Sequence, residues 1–168
     1  NNTCLVSFDI KRPMIYKIFG LPRSPGVIDI LNDGSHFDNI KNTVINLFLN
    51  KSKRKLLNLP NIDNLTIICA GEGPHDFVPI VESNSFAKFV EQLKNEFELV
   101  FFDVPPIFTS AETLYLVKEL DHVILVAMVG RTPVNALQRS IVQIERAGGK
   151  ILGIILNGVP QSELGRTT

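Results

Sequence analysis

The sequence predicts an α/β fold with a doubly wound, mostly parallel sheet that carries helices on both faces. Two observations support this fold class. Short apolar runs alternate along the chain with longer segments whose apolar residues recur at helical spacing, as is typical of strands and helices that wind around a parallel sheet. The run from Leu99 to Phe102 contains no polar residue, and it is therefore expected to be a strand buried on both faces.

Five strands are expected from the apolar runs. They are predicted at residues 3–8, 65–69, 99–103, 122–127 and 151–156. Pro105 and Pro106 follow the third run, and they stop that strand because proline donates no backbone N–H and restricts the residue before it.

Six helical segments are expected between the strands. They are predicted at residues 13–20, 27–31, 36–49, 83–97, 110–120 and 132–147. Pro13 and Pro133 suit the first position of a helix, and Glu112 lies early in its helix, where the dipole favours an acid. Caps are expected at Ser83 or Ser85, Ser110 and Thr132. The apolar face of the segment at 83–97 is formed by Phe86, Phe89, Val90, Leu93 and Phe97.

The composition is that of one globular domain, predicted over residues 1–160 with a polar tail at 161–168. Of the 168 residues, 45% are hydrophobic and 20% are charged, an ordinary balance for a chain with a proper core. There are 17 basic and 17 acidic residues, so the net charge of zero argues against a bulk electrostatic role on nucleic acid. No apolar run approaches the roughly 18–20 residues that span a bilayer. Cys4 and Cys69 lie in apolar runs, which predicts buried thiols in a reducing compartment.

Asp103 is the first candidate site residue. It follows the apolar run at 99–102 directly and should lie at the carboxyl end of a central strand, where open α/β sheets bind their ligands. A carboxylate in that position is costly unless it meets a positive or hydrogen-bonding partner. Magnesium held through water beside a nucleotide phosphate is one such partner. A structural role in capping the next loop is the alternative, and this stretch alone favours neither.

Other polar groups should collect at the same edge of the sheet. These are Asp9, the loop at 70–76, the loop at 128–132 and Asn157, with Lys11 and Arg12 close by. Two carboxylates and two bases make a plausible magnesium–phosphate site.

Each of these residues also has a structural interpretation. Asp9 would cap the helix that is predicted to begin at Pro13. Lys11 and Arg12 would lie in a solvated loop. Asn157 would occupy the tight turn before Gly158.

The loops lack the usual means of binding phosphate. No Gly-x-x-x-x-Gly-Lys-Ser/Thr sequence occurs in the 168 residues, although this loop and its lysine do most of the work in binding nucleotide phosphates. The segment from Ala70 to Pro74 has two glycines but fits no strong phosphate-loop pattern, so it is interpreted as a loop near the site. The histidines His36, His75 and His122 are scattered, which argues against a metal cluster.

Several segments together resemble the bacterial tyrosine kinases, or BY-kinases, the cytoplasmic partners of capsule and exopolysaccharide chain-length regulators. The resemblance covers residues 3–160, and the MinD/ParA-like group of P-loop NTPases shares much of it. The stretch Leu5–Pro13 looks like the second aspartate motif of the kinases, and Val100–Pro106 looks like their Walker B segment. The weaker matches are Ile18–Pro22, Pro25–Val27, Ala70-Gly71 with Pro74, Glu112, Arg131-Thr132, Gly148 and Gly153–Asn157.

The resemblance implies that ATP and Mg²⁺ are the cofactors. By this resemblance, Asp9 is the second aspartate of an Asp-x-Asp motif, close to magnesium and to the acceptor hydroxyl. Asp103 is the Walker B carboxylate that holds magnesium through water, and Asn157 lies by the adenine. Lys11 and Arg12 are assigned to cofactor binding.

The resemblance also implies a biological setting. It implies autophosphorylation on a C-terminal tyrosine cluster and control of polysaccharide polymerisation and export. The partner would be a membrane chain-length regulator, or polysaccharide co-polymerase, and a homo-oligomer is possible. Such a domain is cytoplasmic and peripheral to the inner membrane.

The sequence departs from the kinase pattern at several points. Ser7 stands where the family has the first aspartate of the motif, and Val104 replaces a threonine. The family's Asn-Pro-x-Glu-Leu-Leu stretch is degraded at residues 76–81, and no tyrosine follows Tyr115. The P-loop strand and first helix are expected upstream of residue 3, with that strand beside the Walker B strand in the middle of the sheet. A fragment of a longer chain is therefore expected, consistent with a first residue other than Met.

Three functions stay open from the sequence. The first is a tyrosine-autokinase-like domain that is incomplete or degenerate in this chain, and that should not bind ATP tightly by itself. The second is a non-catalytic, kinase-like interaction module for the membrane regulator, which Ser7 and the missing tyrosines favour. The third is a MinD/ParA-like positioning ATPase, against which the neutral charge and the segment Ile18–Pro22 count.

Overall fold

The computed structural model describes residues 2–33, 64–73 and 78–162. The chain divides into two compact units, residues 1–105 and residues 106–168. Unit 1 contains β1 (Thr3–Ser7), α1 (Ile15–Phe19), α2 (Val27–Asp33), β2 (Leu65–Ile68), α3 (Val78–Val81), α4 (Asn84–Glu96) and β3 (Leu99–Asp103). Unit 2 contains α5 (Glu112–Val117), β4 (Val123–Met128), α6 (Val134–Arg146) and β5 (Ile151–Asn157).

This element order confirms the predicted α/β fold with parallel strands. All five predicted strands form, each within a residue or so of its predicted bounds. The helix predicted at residues 36–49 lies outside the described residues. The prediction of one domain over residues 1–160 stays a prediction.

The sheet of unit 1 has three strands in the order β2-β1-β3, and both pairs are parallel. Thr3 is the register partner of Leu65 on one side and of Leu99 on the other. At the carboxyl end of the sheet, Ser7 is the partner of Asp103. Because strands in such a sheet run in one direction, the loops that follow β1 and β3 leave the sheet at the same edge.

Helix α4 supplies the main apolar layer of unit 1. The predicted apolar face is confirmed, since its five members are all buried: Phe86, Phe89, Val90, Leu93 and Phe97. The ring of Phe86 meets Phe8 edge-on at 5.5 Å and Phe102 at 6.3 Å between centroids. Ser83 is the N-cap residue, but its hydroxyl donates to the carbonyl of Ile80 at 2.6 Å and makes no cap bond.

A short network closes the loop before α2 against the loop after β2. The guanidinium of Arg23 donates from Nε to the carbonyl of Gly71 at 3.1 Å and from Nη2 to the carbonyl of Ile10 at 3.4 Å. In return, the N–H of Gly71 donates to the carbonyl of Arg23 at 3.1 Å. The carboxylate of Asp29 accepts the N–H of Gly26 at 2.6 Å. These bonds hold the start of α2 directly against Gly71.

Unit 2 is a parallel pair of strands, β4 and β5, with α6 packed on one face. Ile144 of α6 is buried, and the chain turns tightly at Gly148, whose φ is +85°. A Cβ added to the next residue, Gly149, would overlap the side chains of Val117 and Ile144. Glycine at 149 therefore allows the end of α6 to approach α5 closely.

Two predicted caps in unit 2 are wrong. The Ser110 hydroxyl does not cap α5; it donates to the carboxylate of Glu112, and both residues are buried. Thr132 does not cap α6 either, because its hydroxyl accepts the N–H of Met128 and Pro133 is the N-cap residue. In both cases the side chain bonds a partner other than the backbone N–H groups of the helix that it was expected to cap.

The prediction that the run at 99–102 is buried on both faces is also wrong. Val100 and Phe102 lie towards the core, whereas Phe101 is 46% exposed. In the described part of the chain β3 pairs with β1 only, so its other edge has no strand against it. β4 likewise has one exposed face, on which Val126 is 65% exposed. An apolar run thus indicates a strand but does not fix which of its faces is covered.

Both cysteines are free and buried, as predicted. Burial raises the pKa of the Cys4 thiol to about 12, with a further contribution from the negative charge of Glu96. Burial alone raises the pKa of Cys69 to about 11. Among the described residues, no helix has the length and apolarity that crossing a bilayer requires.

Candidate functional site

The carboxyl edge of the unit 1 sheet brings together two of the predicted site residues, Asp9 and Asp103. Asp103 is the last residue of β3, and its backbone carbonyl accepts the N–H of Phe8 at 2.7 Å. That bond extends the pairing of β1 with β3 to the residue before Asp9. The carboxylates are near enough that the charge of Asp9 affects the titration of Asp103.

Asp9 closes the turn that follows β1. Its Oδ1 accepts the backbone N–H of Arg12 at 3.0 Å, and its Oδ2 lies 3.7 Å from Nη2 of the same residue. The proposed cap on a helix that begins at Pro13 is wrong in this form, because α1 begins at Ile15 and has no side-chain cap. Asp9 satisfies the donor of a turn three residues ahead instead, as aspartate commonly does.

The two predicted bases lie in this turn. Arg12 is 63% exposed and is paired with Asp9, which is 16% exposed. A pair this exposed contributes at most about 1 kcal/mol, so the guanidinium can exchange Asp9 for another anion at little cost. Lys11 is exposed in the same turn. Its role in cofactor binding, like that of Arg12, stays a prediction.

Asp103 is the carboxylate with the perturbed titration. Partial burial, and then the negative charge of Asp9, raise the pKa of Asp103 above its ordinary value. Both causes disfavour the ionised form. A cation placed between the carboxylates would remove the repulsion, whereas a purely structural carboxylate would instead be expected to have a hydrogen-bond donor beside it.

The raised pKa predicts a pH-dependent difference in stability between the wild type and Asp103→Asn. The folded state binds the Asp103 proton more tightly than the unfolded state, so this group favours folding only while it is protonated. That contribution is lost as the pH rises from the ordinary pKa of aspartate through the raised pKa of the folded state.

Asparagine stays neutral, so the melting temperature of Asp103→Asn relative to wild type should increase between about pH 3 and pH 7. The measurement is thermal unfolding with a chelator present. A difference that is constant over this range would contradict the prediction.

Ser7 also belongs to the site, although the sequence marked it only as a serine in place of an aspartate of the kinase pattern. It is 1% exposed, and its Oγ has no hydrogen-bond partner among the described residues. It is also the register partner of Asp103 on the adjacent strand. The one available signal was its position, two residues before Asp9 at the end of an apolar run. Its lack of a hydrogen-bond partner is visible only in the folded chain.

In the loop after β2, the backbone N–H and carbonyl of Gly71 already form hydrogen bonds within the protein. Gly71 has a φ of +81°, and its N–H donates to Arg23. That backbone donor is therefore not available to a phosphate. The sequence did not single out Arg23, whose partners lie 48 and 13 residues away.

Asn157 belongs to unit 2, where it ends β5. Its carbonyl accepts the N–H of Val129 at 2.9 Å, and Gly158 follows with a φ of +74°. The bond to Val129 continues the pairing of β4 with β5, and the φ of Gly158 is one that glycine adopts readily. A place for Asn157 beside an adenine stays a prediction.

The residues at the edge of unit 1 fit a small, hard divalent cation. Two carboxylates and one hydroxyl offer oxygen atoms only, and magnesium is usually bound by one or two carboxylates together with water and substrate phosphate. Within the described ranges no three acidic, histidine or cysteine side chains cluster as a metal site. The site therefore fits magnesium whose remaining coordination positions are filled by water or by phosphate.

The chain is similar in sequence to named tyrosine kinases. No protein-family model matches it. It is 25% identical over 159 residues to the tyrosine-protein kinase CapB of Staphylococcus aureus, across 94% of this chain and 62% of CapB. It is 32% identical over 102 residues to the tyrosine-protein kinase CpsD of Streptococcus agalactiae, across 61% of this chain and 44% of CpsD. The chain thus spans less than two thirds of the length of either relative.

Solved structures agree at the level of the fold. The kinase domain of the Escherichia coli tyrosine kinase ETK matches with a TM-score of 0.79 at 18% identity, over 99% of this chain and 58% of that one. A plasmid partition protein from Borrelia burgdorferi matches with a TM-score of 0.52 at 14% identity, over 93% and 65%. The chain is therefore similar in sequence to proteins named as bacterial tyrosine-protein kinases, and it shares the α/β architecture of their kinase domains.

Proposed function

We propose that this chain supplies the magnesium-binding side of an ATP-dependent tyrosine autokinase that regulates capsular or exopolysaccharide polymerisation and export. The observation that carries the proposal is the proximity of Asp9 and Asp103 at the carboxyl edge of adjacent parallel strands. Asp103 is the register partner of Ser7, two residues before Asp9, and the charge of Asp9 acts on the carboxylate of Asp103. The relatives that bear kinase names support it. Since the chain spans only part of those relatives, its activity, its substrate and its partner all belong to the proposal.

The roles of the residues follow from their positions. Asp103 would hold magnesium through water, and Asp9 would lie between the metal and the tyrosine hydroxyl, from which it accepts the proton. Arg12 would leave its exposed pair with Asp9 to meet phosphate, with Lys11 beside it. Asn157 would contact the adenine. When bound, magnesium supplies charge neutralisation for the phosphates, which is the main requirement of phosphoryl transfer.

The test is autophosphorylation of the protein as its cell makes it. Wild type and Asp103→Asn are incubated with Mg-ATP labelled at the γ-phosphate, and phosphotyrosine is measured. We expect Asp103→Asn to lose activity by about 100-fold or more, because a transition-state charge partner typically contributes that much.

The control is Glu98→Gln, the same acid-to-amide change at the opposite end of β3, just before the strand begins. It should retain wild-type activity. Wild-type activity in Asp103→Asn would remove the carboxylate from the site. No phosphotyrosine in the wild-type protein would refute the kinase proposal itself.

A second candidate is a non-catalytic, kinase-like module that binds the cytoplasmic segment of a membrane chain-length regulator. The sequence feature that favours it is the neutral Ser7, which stands in an acidic position of the kinase pattern. Titration calorimetry separates the candidates. The module should bind the regulator segment whether or not Mg-ATP is present, and micromolar binding of Mg-ATP to this chain would count against it.

A further inference from the structure

The Ser7 hydroxyl occupies an unusual position at the carboxyl edge of unit 1. It is buried without a hydrogen-bond partner in the described part of the chain. Buried hydroxyls nearly always have a partner in the protein or an ordered water, so an exception calls for an explanation. Ser7 is also surrounded by the site: it is the register partner of Asp103 and lies two residues before Asp9.

The alternation of side chains places Ser7 and Asp103 on one face of the sheet. Phe8 and Phe102 are their chain neighbours, and their rings approach each other at 6.5 Å in the layer formed with Phe86 of α4. Successive residues of a strand point to opposite faces. The Ser7 hydroxyl and the Asp103 carboxylate are therefore on the face away from α4, on adjacent strands.

Two deficits thus occur side by side. Asp9 and Asp103 bring two like negative charges to one edge of the sheet, because Asp9 follows Phe8, whose N–H donates to the carbonyl of Asp103. Ser7 carries a buried hydroxyl that has no hydrogen-bond partner in the described part of the chain. One small divalent cation would correct both, because it neutralises the carboxylates and accepts a neutral oxygen ligand. A lone water would satisfy the hydroxyl but would leave the repulsion between the carboxylates.

We propose that the Ser7 hydroxyl is a ligand of the divalent cation bound by Asp9 and Asp103, and that it provides a neutral oxygen in a position where an acid would add a third negative charge. The inference rests on the metal site of the proposed function. It adds that Ser7 takes part in cation binding. Serine in place of the family's aspartate at position 7 therefore weakens cation binding without abolishing it.

The experiment is a titration of the chain with Mn²⁺, which replaces Mg²⁺ and is measured free in solution by electron paramagnetic resonance. Ser7→Ala should bind Mn²⁺ about 3-fold to 10-fold more weakly than wild type, as expected for the loss of one polar contact. Ser7→Asp should bind it more tightly than wild type. Asp103→Asn should lose most of the binding.

Thermal unfolding gives a second readout that separates a ligand from a structural serine. Without cation, Ser7→Ala should melt at or above the wild-type temperature, because the change removes an unpaired buried hydroxyl. With saturating Mn²⁺ the wild type should gain more melting temperature than Ser7→Ala, since only ligand bound to the folded state shifts the transition. Ser140→Ala is the matched control, because that buried hydroxyl donates within its own helix to Ala136.

The outcomes distinguish this inference from the proposed function. If Asp103→Asn loses Mn²⁺ while Ser7→Ala binds it as wild type does, the role of Ser7 is refuted and the metal site stands. If the wild type takes up no Mn²⁺, both fail. If Ser140→Ala weakens Mn²⁺ binding as much as Ser7→Ala does, the effect belongs to packing and the role of Ser7 is refuted.

Discussion

Gly26→Ala should destabilise unit 1 by about 3 kcal/mol or more, since overpacking against rigid atoms is among the costlier single changes. A Cβ at Gly26 would overlap the N of Gly71 and the carbonyl of Cys69, and would lie 2.7 Å from the Cα of Gly71. These are backbone atoms, which cannot rotate away as a side chain would. The added methyl must therefore separate α2 from the loop after β2. Urea unfolding measures the change in the free energy of unfolding.

Gly153→Ala is the matched control for this prediction. A Cβ at Gly153, in β5, has no atom within 4 Å, and alanine is at least as favourable as glycine in a strand. The control should be neutral or slightly stabilising. If Gly26→Ala also proved neutral, the close approach of α2 to Gly71 would be contradicted.

Phe86→Ala should cost about 3–5 kcal/mol, the usual cost of removing a fully buried aromatic ring. Phe86 has no exposed surface, and its ring joins α4 to Phe8 at the end of β1 and to Phe102 in β3. Removing it leaves a cavity between the helix and the sheet that these neighbours cannot fill. The measurement is again the urea dependence of unfolding, followed by circular dichroism.

Phe101→Ala supplies the comparison within the same unit. Phe101 is adjacent to Phe102 but lies on the opposite face of β3 and is 46% exposed. Its truncation should cost less than about 1 kcal/mol, as is usual for partly exposed positions. Equal losses for Phe86→Ala and Phe101→Ala would mean that the layer under α4 is not the core of unit 1.

The sequence predicted what depends on local pattern. The apolar face of α4 follows from the 3.6-residue period, and all five predicted members are buried. Asp103 was expected at the end of a strand because two prolines follow closely, and β3 ends there. The strand order was not predicted in detail, but the parallel pairing was, and the pairs in both units are parallel.

The sequence did not predict the hydrogen-bond partner where a side chain had several within reach. Ser83, Ser110 and Thr132 are all good cap residues by type, yet each hydroxyl bonds elsewhere. Propensity gives the preferred partner at a helix N-terminus, but in each case another group within four residues along the chain is the partner instead.

Contacts distant in sequence were also beyond prediction. The bond from Arg23 to Gly71 spans 48 residues, and no periodic pattern encodes it. The lack of a partner for Ser7 is likewise a property of everything that surrounds it. These are the two features of the candidate site that only the folded chain reveals.

The two hydrogen bonds of the Arg23 side chain join two segments of unit 1. One guanidinium is bonded to the carbonyl of Ile10, the residue after Asp9, and to the carbonyl of Gly71, against which α2 begins. A shift of the turn that carries Asp9 would therefore be transmitted through a single rigid fork of donors to the loop after β2 and to the first turn of α2. Lysine has the charge but not the planar fork of donors, so it would join these two segments less rigidly.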